Sequence, residues 1–324
     1  MTMTHKIIHI LPIKHNRLRT QLIFCFCLLL VPSMLQAQQE TMYSQYMNSM
    51  LNINPAYAGN RVEDNVTALY RKQWVNIEGA PTTGSLSWDH RGDESVVGYG
   101  LQIYTDKIGI ETSTGVQAFY SYRLPFYKSA LTLGLSAGIM NYRAAYFSGT
   151  NPETTGGIDP SFKEDLNSML PTAGIGALFE TENWYIGLSA PALLKTKVSD
   201  NNYQVTSAAN NHYFLTGGYI FDVSPAFKFK PSVMLKAVKG VSMQYDINMN
   251  GWINNTIGLG VSYRSNDALV GLFEVQVTPQ IMLGYAYDYL TSNLKTYSTG
   301  SHELMLRFTF NQPKTYHIQS LRYY

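Results

Sequence analysis

From about residue 64 to residue 310 the chain repeats one pattern. Apolar side chains alternate with small or polar ones, and each run breaks at Gly, Pro, Asn or Asp. A period of two marks a strand with two different faces. Leu131, Leu133, Leu135, Ala137 and Ile139 share one face, with Thr132, Gly134, Ser136, Gly138 and Met140 on the other. Ile257, Leu259, Val261 and Tyr263 oppose Thr256, Gly258, Gly260, Ser262 and Arg264. Leu304, Leu306, Phe308 and Phe310 oppose Glu303, Met305, Arg307 and Thr309.

The pattern predicts fourteen strands, at about 64–74, 82–90, 96–104, 114–124, 130–141, 171–180, 184–191, 211–222, 226–237, 242–250, 255–264, 268–277, 280–289 and 302–310. Long connections at 142–170, 192–210 and 290–301 follow odd strands; tight turns such as 180–183 and 278–279 follow even ones. An even-numbered barrel gives that separation, with long loops outside and short turns in the periplasm. Pro231 falls inside the ninth strand, where it removes a ladder donor, so a bulge is expected there.

The partner of the apolar face decides the fold class. Tyrosines gather toward one end of each apolar face, where an aromatic girdle would lie. The opposite face is small and weakly charged, as in an enclosed lumen. A soluble sandwich would decorate its wet face with Lys and Glu. Composition favours the lumen, because charged residues are 14% of the chain against about 25% in a soluble domain. The expected fold is therefore all-β, an antiparallel outer-membrane β-barrel with a short segment before it.

The front end reads as an export signal, residues 1–37. Lys6, Lys14, Arg17 and Arg19 precede a short apolar run from Leu22 to Val31, and Leu35-Gln36-Ala37 resembles a cleavage region. Both cysteines, Cys25 and Cys27, fall within it, leaving none for a disulfide or thiolate metal site. The whole chain has 24 basic and 22 acidic residues, so losing four basic ones leaves 20 against 22. Such a balance gives no field for nucleic acid, which drops out as a partner. Residues 38–63 are expected to be ordered but irregular, on the periplasmic side or folded into the lumen. Residues 64–310 form the barrel and 311–324 a C-terminal tail.

Candidate chemistry is thin. A nucleophilic site needs a histidine beside its partner. After residue 37 there are His90, His212, His302 and His317. His302 lies between Ser301 and Glu303, but strand neighbours point to opposite faces, so the three cannot converge. His302 reads instead as a strand-start cap or a lumen hydrogen bond. Gly98-x-Gly100, Gly174-x-Gly176 and Gly258-x-Gly260 lack the following helix that a phosphate loop needs. Arg71 and Lys72 alternate, so they face apart. An inward arginine would pair with a carboxylate and anchor residues 38–63, or contact a partner. Lys228 and Lys230 are expected to snorkel at the membrane edge. No enzymatic activity and no cofactor or metal are expected.

Several blocks carry a family resemblance. Gln45-Tyr46, Asn52-Ile53-Asn54-Pro55-Ala56-Tyr57-Ala58-Gly59, Tyr70-Arg71-Lys72-Gln73-Trp74 and Gly79-Ala80-Pro81-Thr82-Thr83 resemble the N-terminal signature of the PorP/SprF family. Asp106-Lys107-Ile108-Gly109, Lys230-Pro231-Ser232, Tyr287-Asp288-Tyr289 and Gly300-Ser301-His302-Glu303 are similar to further family blocks. Ser320-Leu321-Arg322-Tyr323-Tyr324 resembles its aromatic tail, with Leu321 and Tyr324 replacing the usual proline and phenylalanine. The resemblance implies a barrel of the type IX secretion system of Bacteroidota, serving export or surface attachment of cargo, gliding adhesins included. The implied partners are outer-membrane lipid, other secretion subunits, periplasmic ones among them, and the C-terminal domains of secreted cargo. The candidate structural or partner-contact residues are Asn54, Pro55, Tyr57, Gly59, Arg71, Lys72, Trp74, Asp106, Lys107, His302 and Glu303. A passive diffusion channel or small-solute transporter is the alternative function.

Overall fold

The computed structural model describes residues 42–61, 63–92, 95–146, 165–194, 211–238 and 241–310. The expected signal (1–37), the tail (311–324) and most of the two longest loops lie outside the described residues. The described residues form fifteen β segments: β1 (Asp64–Lys72), β2 (Thr82–Arg91), β3 (Val97–Ile108), β4 (Glu111–Pro125), β5 (Ser129–Ala144), β6 (Leu166–Thr181), β7 (Trp184–Ala190), β8 (His212–Tyr219), β9 (Phe221–Ser224), β10 (Phe227–Val238), β11 (Gln244–Ile253), β12 (Ile257–Arg264), β13 (Ala268–Thr278), β14 (Ile281–Leu290) and β15 (Ser301–Phe310). β8 and β9 are two pieces of one strand interrupted at Ile220, so the wall has fourteen staves. Every neighbour is antiparallel, β1 pairs with β15, and β10 with β11, so the sheet closes. Closure pairs the backbone without a free edge, the condition for crossing hydrocarbon.

The alternation sets which face is which. Leu101, Ile103, Val116, Leu135, Ile139, Leu259 and Val261 are exposed on the outer face. Gln102, Ser121, Thr132, Ser136 and Ser262 are buried on the inner one. Asp64 and Phe310 pair, so the barrel begins and ends at the end holding the tight turns after β4, β6 and β13.

The structure departs from the pattern in two places. β3 runs on to Ile108, β4 starts at Glu111, β5 reaches Ala144 and β6 begins at Leu166. These extensions pair as regular ladder, for example Lys107 with Thr112 and Arg143 with Asn167. They are mostly polar, so apolar alternation does not mark them. The bulge expected at Pro231 is absent there. Pairing to β11 is unbroken from Phe227 to Lys236. On the other side, pairing passes from Phe229–Phe221 to Ser232–Gly218, skipping Lys230 and Pro231. The missing proline donor thus interrupts pairing on the side of β8 and β9 beside Ile220, while the Ile220 N–H continues the ladder to the β7 side at Asn183 O, 2.8 Å away.

Candidate functional site: the lumenal strap and its wall

Residues 42–61 form a strap inside the ring. It makes three single 3-10 turns, Tyr46–Asn48, Met50–Asn52 and Pro55–Tyr57. Asn54 caps the last, its side chain accepting from Ala56 N at 2.9 Å, with Pro55 at the first helical position. Tyr46, Met47, Met50, Ile53 and Tyr57 pack against Leu178, Phe214, Met234 and Leu272 of the wall. The strap starts beside Arg71 and Glu303, at the long-loop end, and reaches His90 and Gly98, near the short-turn end, by Gly59. It therefore traverses the lumen.

At the long-loop end a buried charge cluster holds it. Arg71 Nη2 lies 2.7 Å from Asp288 Oδ2, and its Nη1 lies 3.3 Å from Glu303 Oε2. Arg264 reaches Asp246 at 3.2 Å and Asp288 at 3.4 Å. Glu303 is fully buried. Its two oxygens accept from the backbone N–H groups of Ser44 and Gln45, at 2.6 and 2.8 Å. The Ser44 hydroxyl donates to Asp288 Oδ1 and accepts from Arg71 Nη1, both at 2.7 Å. Strap and wall thus share one network, in which the wall's arginines pair with the carboxylates and the strap's N–H and hydroxyl groups fill their remaining acceptor positions. Further along, Asn48 Nδ2 donates to Glu274 Oε1 at 2.5 Å, Arg307 donates to Asn48 O, and Asn248 Nδ2 donates to the Tyr46 hydroxyl at 2.5 Å.

On β3–β7 the wall clears space instead. A methyl at Gly134 would meet the backbone of Pro55 and Ala56, at Gly176 the Asn54 side chain, and at Gly98 the Ala58 carbonyl. Short hydroxyls finish the contact: Ser121 Oγ donates to Ala58 O at 2.6 Å and Ser189 Oγ to Ile53 O at 2.8 Å. Gly59 has φ +56°, a left-handed turn against His90 O that a side chain would block. One cavity between strap and wall measures about 50 Å³, bordered by Arg61, Asp89, Lys230 and Arg307. That is room for a few water molecules. Among the described residues no group of His, Cys, Asp and Glu is arranged to hold a metal ion.

The structure sorts the sequence candidates into three places. Asn54, Pro55, Tyr57 and Gly59 belong to the strap. Arg71 and Glu303 meet inside, and Asp106 accepts from Thr83 Oγ1 at 2.5 Å. Lys72, Lys107 and His302 are exposed on the outer face. Trp74 lies in the β1–β2 connection with φ +45°, its N–H donating to Ser301 Oγ at 3.2 Å.

Three expectations need correction. His302 makes no lumen hydrogen bond: it points outward and bonds the Tyr285 hydroxyl at 2.7 Å, because it has opposite parity to Glu303. Lys230 does not snorkel: it is 3% exposed, inside, with Nζ 5.4 Å from the Tyr185 ring centroid. The lumen is not weakly charged on the side of β11–β15 and β1. Asp246, Arg264, Glu274, Asp288 and Arg307 were not singled out from the sequence. All have inward parity, and counting charges by parity for each strand would have found them.

Comparison with known proteins adds a family. The model described as type IX secretion system membrane protein PorP/SprF matches residues 35–308. No curated protein matches. Among solved structures, the Ralstonia pickettii toluene transporter TbuX is similar at 9% identity, covering 81% of this chain and 93% of that one, with a TM-score of 0.50. A TodX deltaS2S3 mutant monoaromatic hydrocarbon channel is similar at 9% identity, covering 82% and 94%, with a TM-score of 0.51. At such identity the likeness concerns the barrel fold.

Proposed function

The chain belongs to the PorP/SprF family of type IX secretion system membrane proteins, and from that premise we propose that this integral outer-membrane barrel supports export or surface attachment of cargo proteins without catalysing a reaction. Its short-turn end faces the periplasm and contacts periplasmic subunits of the apparatus. Its long-loop end faces outward and contacts the C-terminal domains of cargo, gliding adhesins of Bacteroidota among them. Residues 1–37 are removed on export.

The strap is the observation that carries this reading. A lumen crossed by the chain's own segment, held at both ends, leaves the rims and the outer wall as working surfaces. It also weighs against the diffusion-channel alternative. Co-purification of the full chain from native membranes tests the proposal: secretion subunits are expected in the eluate, and their absence would count against it. In a planar bilayer the purified barrel is expected to show no stable large conductance; a steady open pore would favour the channel.

A further inference from the structure

The outer face differs around the long-loop rim. Across β15, β1, β2, β3, β4 and β5 the strand register places His302, Lys72, Thr82, Lys107, Thr112 and Arg143 side by side. All have outward parity, and each sits within two residues of its strand's rim end. Adjacent strands are about 4.8 Å apart, so Lys72, Lys107 and Arg143 follow one another at roughly 10 Å, with a threonine between each pair. The rim over β8 and β11–β14 presents Tyr213, Tyr245, Tyr263 and Tyr289 instead.

Further into the same strands the outward positions turn apolar, directly beyond Lys72 at Tyr70 and beyond His302 at Leu304, and after one polar position, Thr105 in β3 and Asn141 in β5, at Ile103 and Ile139. Lys72 and His302 therefore sit at the edge of the band that faces hydrocarbon, and Lys107 and Arg143 stand one outward position further out, toward the polar layer above it. At that edge the Lys72 stem lies along the apolar layer with its head among polar groups, and the heads of Lys107 and Arg143 extend into the same polar layer. We infer that this arc is a docking surface for phosphate-bearing lipid headgroups of the leaflet at the long-loop end. Lys72 and Lys107 act as point charges. The Arg143 fork can hold two oxygens of one phosphate, while its Nη2 stands 3.8 Å from the Asp165 carboxylate, a long pair that a headgroup can share. His302, already bonded to Tyr285, closes the row beside the Tyr287 ring. The surface depends on the barrel's place in a membrane and not on a role in secretion.

The full chain purified in nonionic detergent tests this by native mass spectrometry. Cardiolipin, with two phosphates, is the probe, and diacylglycerol, with none, the comparator. Wild type should prefer cardiolipin. The Lys72→Gln/Lys107→Gln/Arg143→Gln variant should bind it at least about tenfold more weakly. Lys72→Arg/Lys107→Arg should bind as wild type, and so should Lys128→Gln, at the other end of the barrel. Retention of the heat-sensitive folded band on a gel shows that each variant is folded. Equal cardiolipin binding by wild type and the triple variant would overturn the proposal. So would equal binding of diacylglycerol. Inorganic phosphate bound as tightly as cardiolipin would indicate a free-anion site, and displacement of cardiolipin by a poly-glutamate peptide would indicate a protein surface; either result rejects the lipid.

Discussion

The arc from β3 to β7 meets the strap with glycines and short hydroxyls, while the arc from β11 to β15, continued by β1, meets it with ionised side chains. One arc fixes the strap by shape. Its backbone approaches closely because Gly98, Gly134 and Gly176 leave no Cβ in the way. The other fixes it by charge, since the paired Arg71, Asp288 and Glu303 of the wall take further hydrogen bonds from the Ser44 and Gln45 N–H groups and the Ser44 hydroxyl. The two fail differently. Loss of shape crowds the strap out, while loss of one charge leaves others buried without a partner.

The charge side should be the more sensitive. Arg71→Met leaves Asp288 and Glu303 without their shared cation and should cost about 3–5 kcal/mol. Unfolding in denaturant, followed by tyrosine fluorescence in micelles, measures it; an unchanged midpoint would break the comparison. Gly134→Val comes next, at about 1–3 kcal/mol from overpacking. Limited proteolysis should then cut within residues 42–61 faster than in wild type. Gly271→Val is the matched control, since nothing lies within 4 Å of a methyl there, and its cleavage rate should not change. Asn54→Ala removes the cap of the third turn and the bond to Ala177 O at 3.1 Å. A loss of about 1 kcal/mol is expected, read from the same denaturation curve. His302→Gln is the smallest. It alters only an outer-face bond to Tyr285, so the unfolding midpoint should stay where it is.

Much of the wall was legible in the sequence because a strand writes its two faces with period two. The stave count, the parity of each face and the split between long and tight connections follow from that. The strap was not legible in the same way. Residues 42–61 carry no period, because single 3-10 turns repeat nothing, and their partners lie far along the chain: Ser44 and Glu303 are 259 residues apart. Arg71 could be read as an inward arginine in need of a carboxylate, but no local pattern names Asp288 as that carboxylate. The extended ends of β3–β6 lose the apolar signal while keeping the ladder. Pro231 marked a real defect and misplaced it by one stave, since sequence does not show which neighbour a missing donor faced.

The central claim is that the strap crosses the lumen and ends among the charges of β14, β15 and β1. With both native cysteines in the first 37 residues, an engineered pair can be read without background. Ser44→Cys with Asp288→Cys joins groups that stand 2.7 Å apart, and Lys72→Cys with His302→Cys, direct register partners on the outer wall, serves as reference. Oxidation in native membranes should close both pairs, seen as a mobility shift that reductant reverses. Closure of the reference pair alone would place the strap outside the barrel and contradict the account.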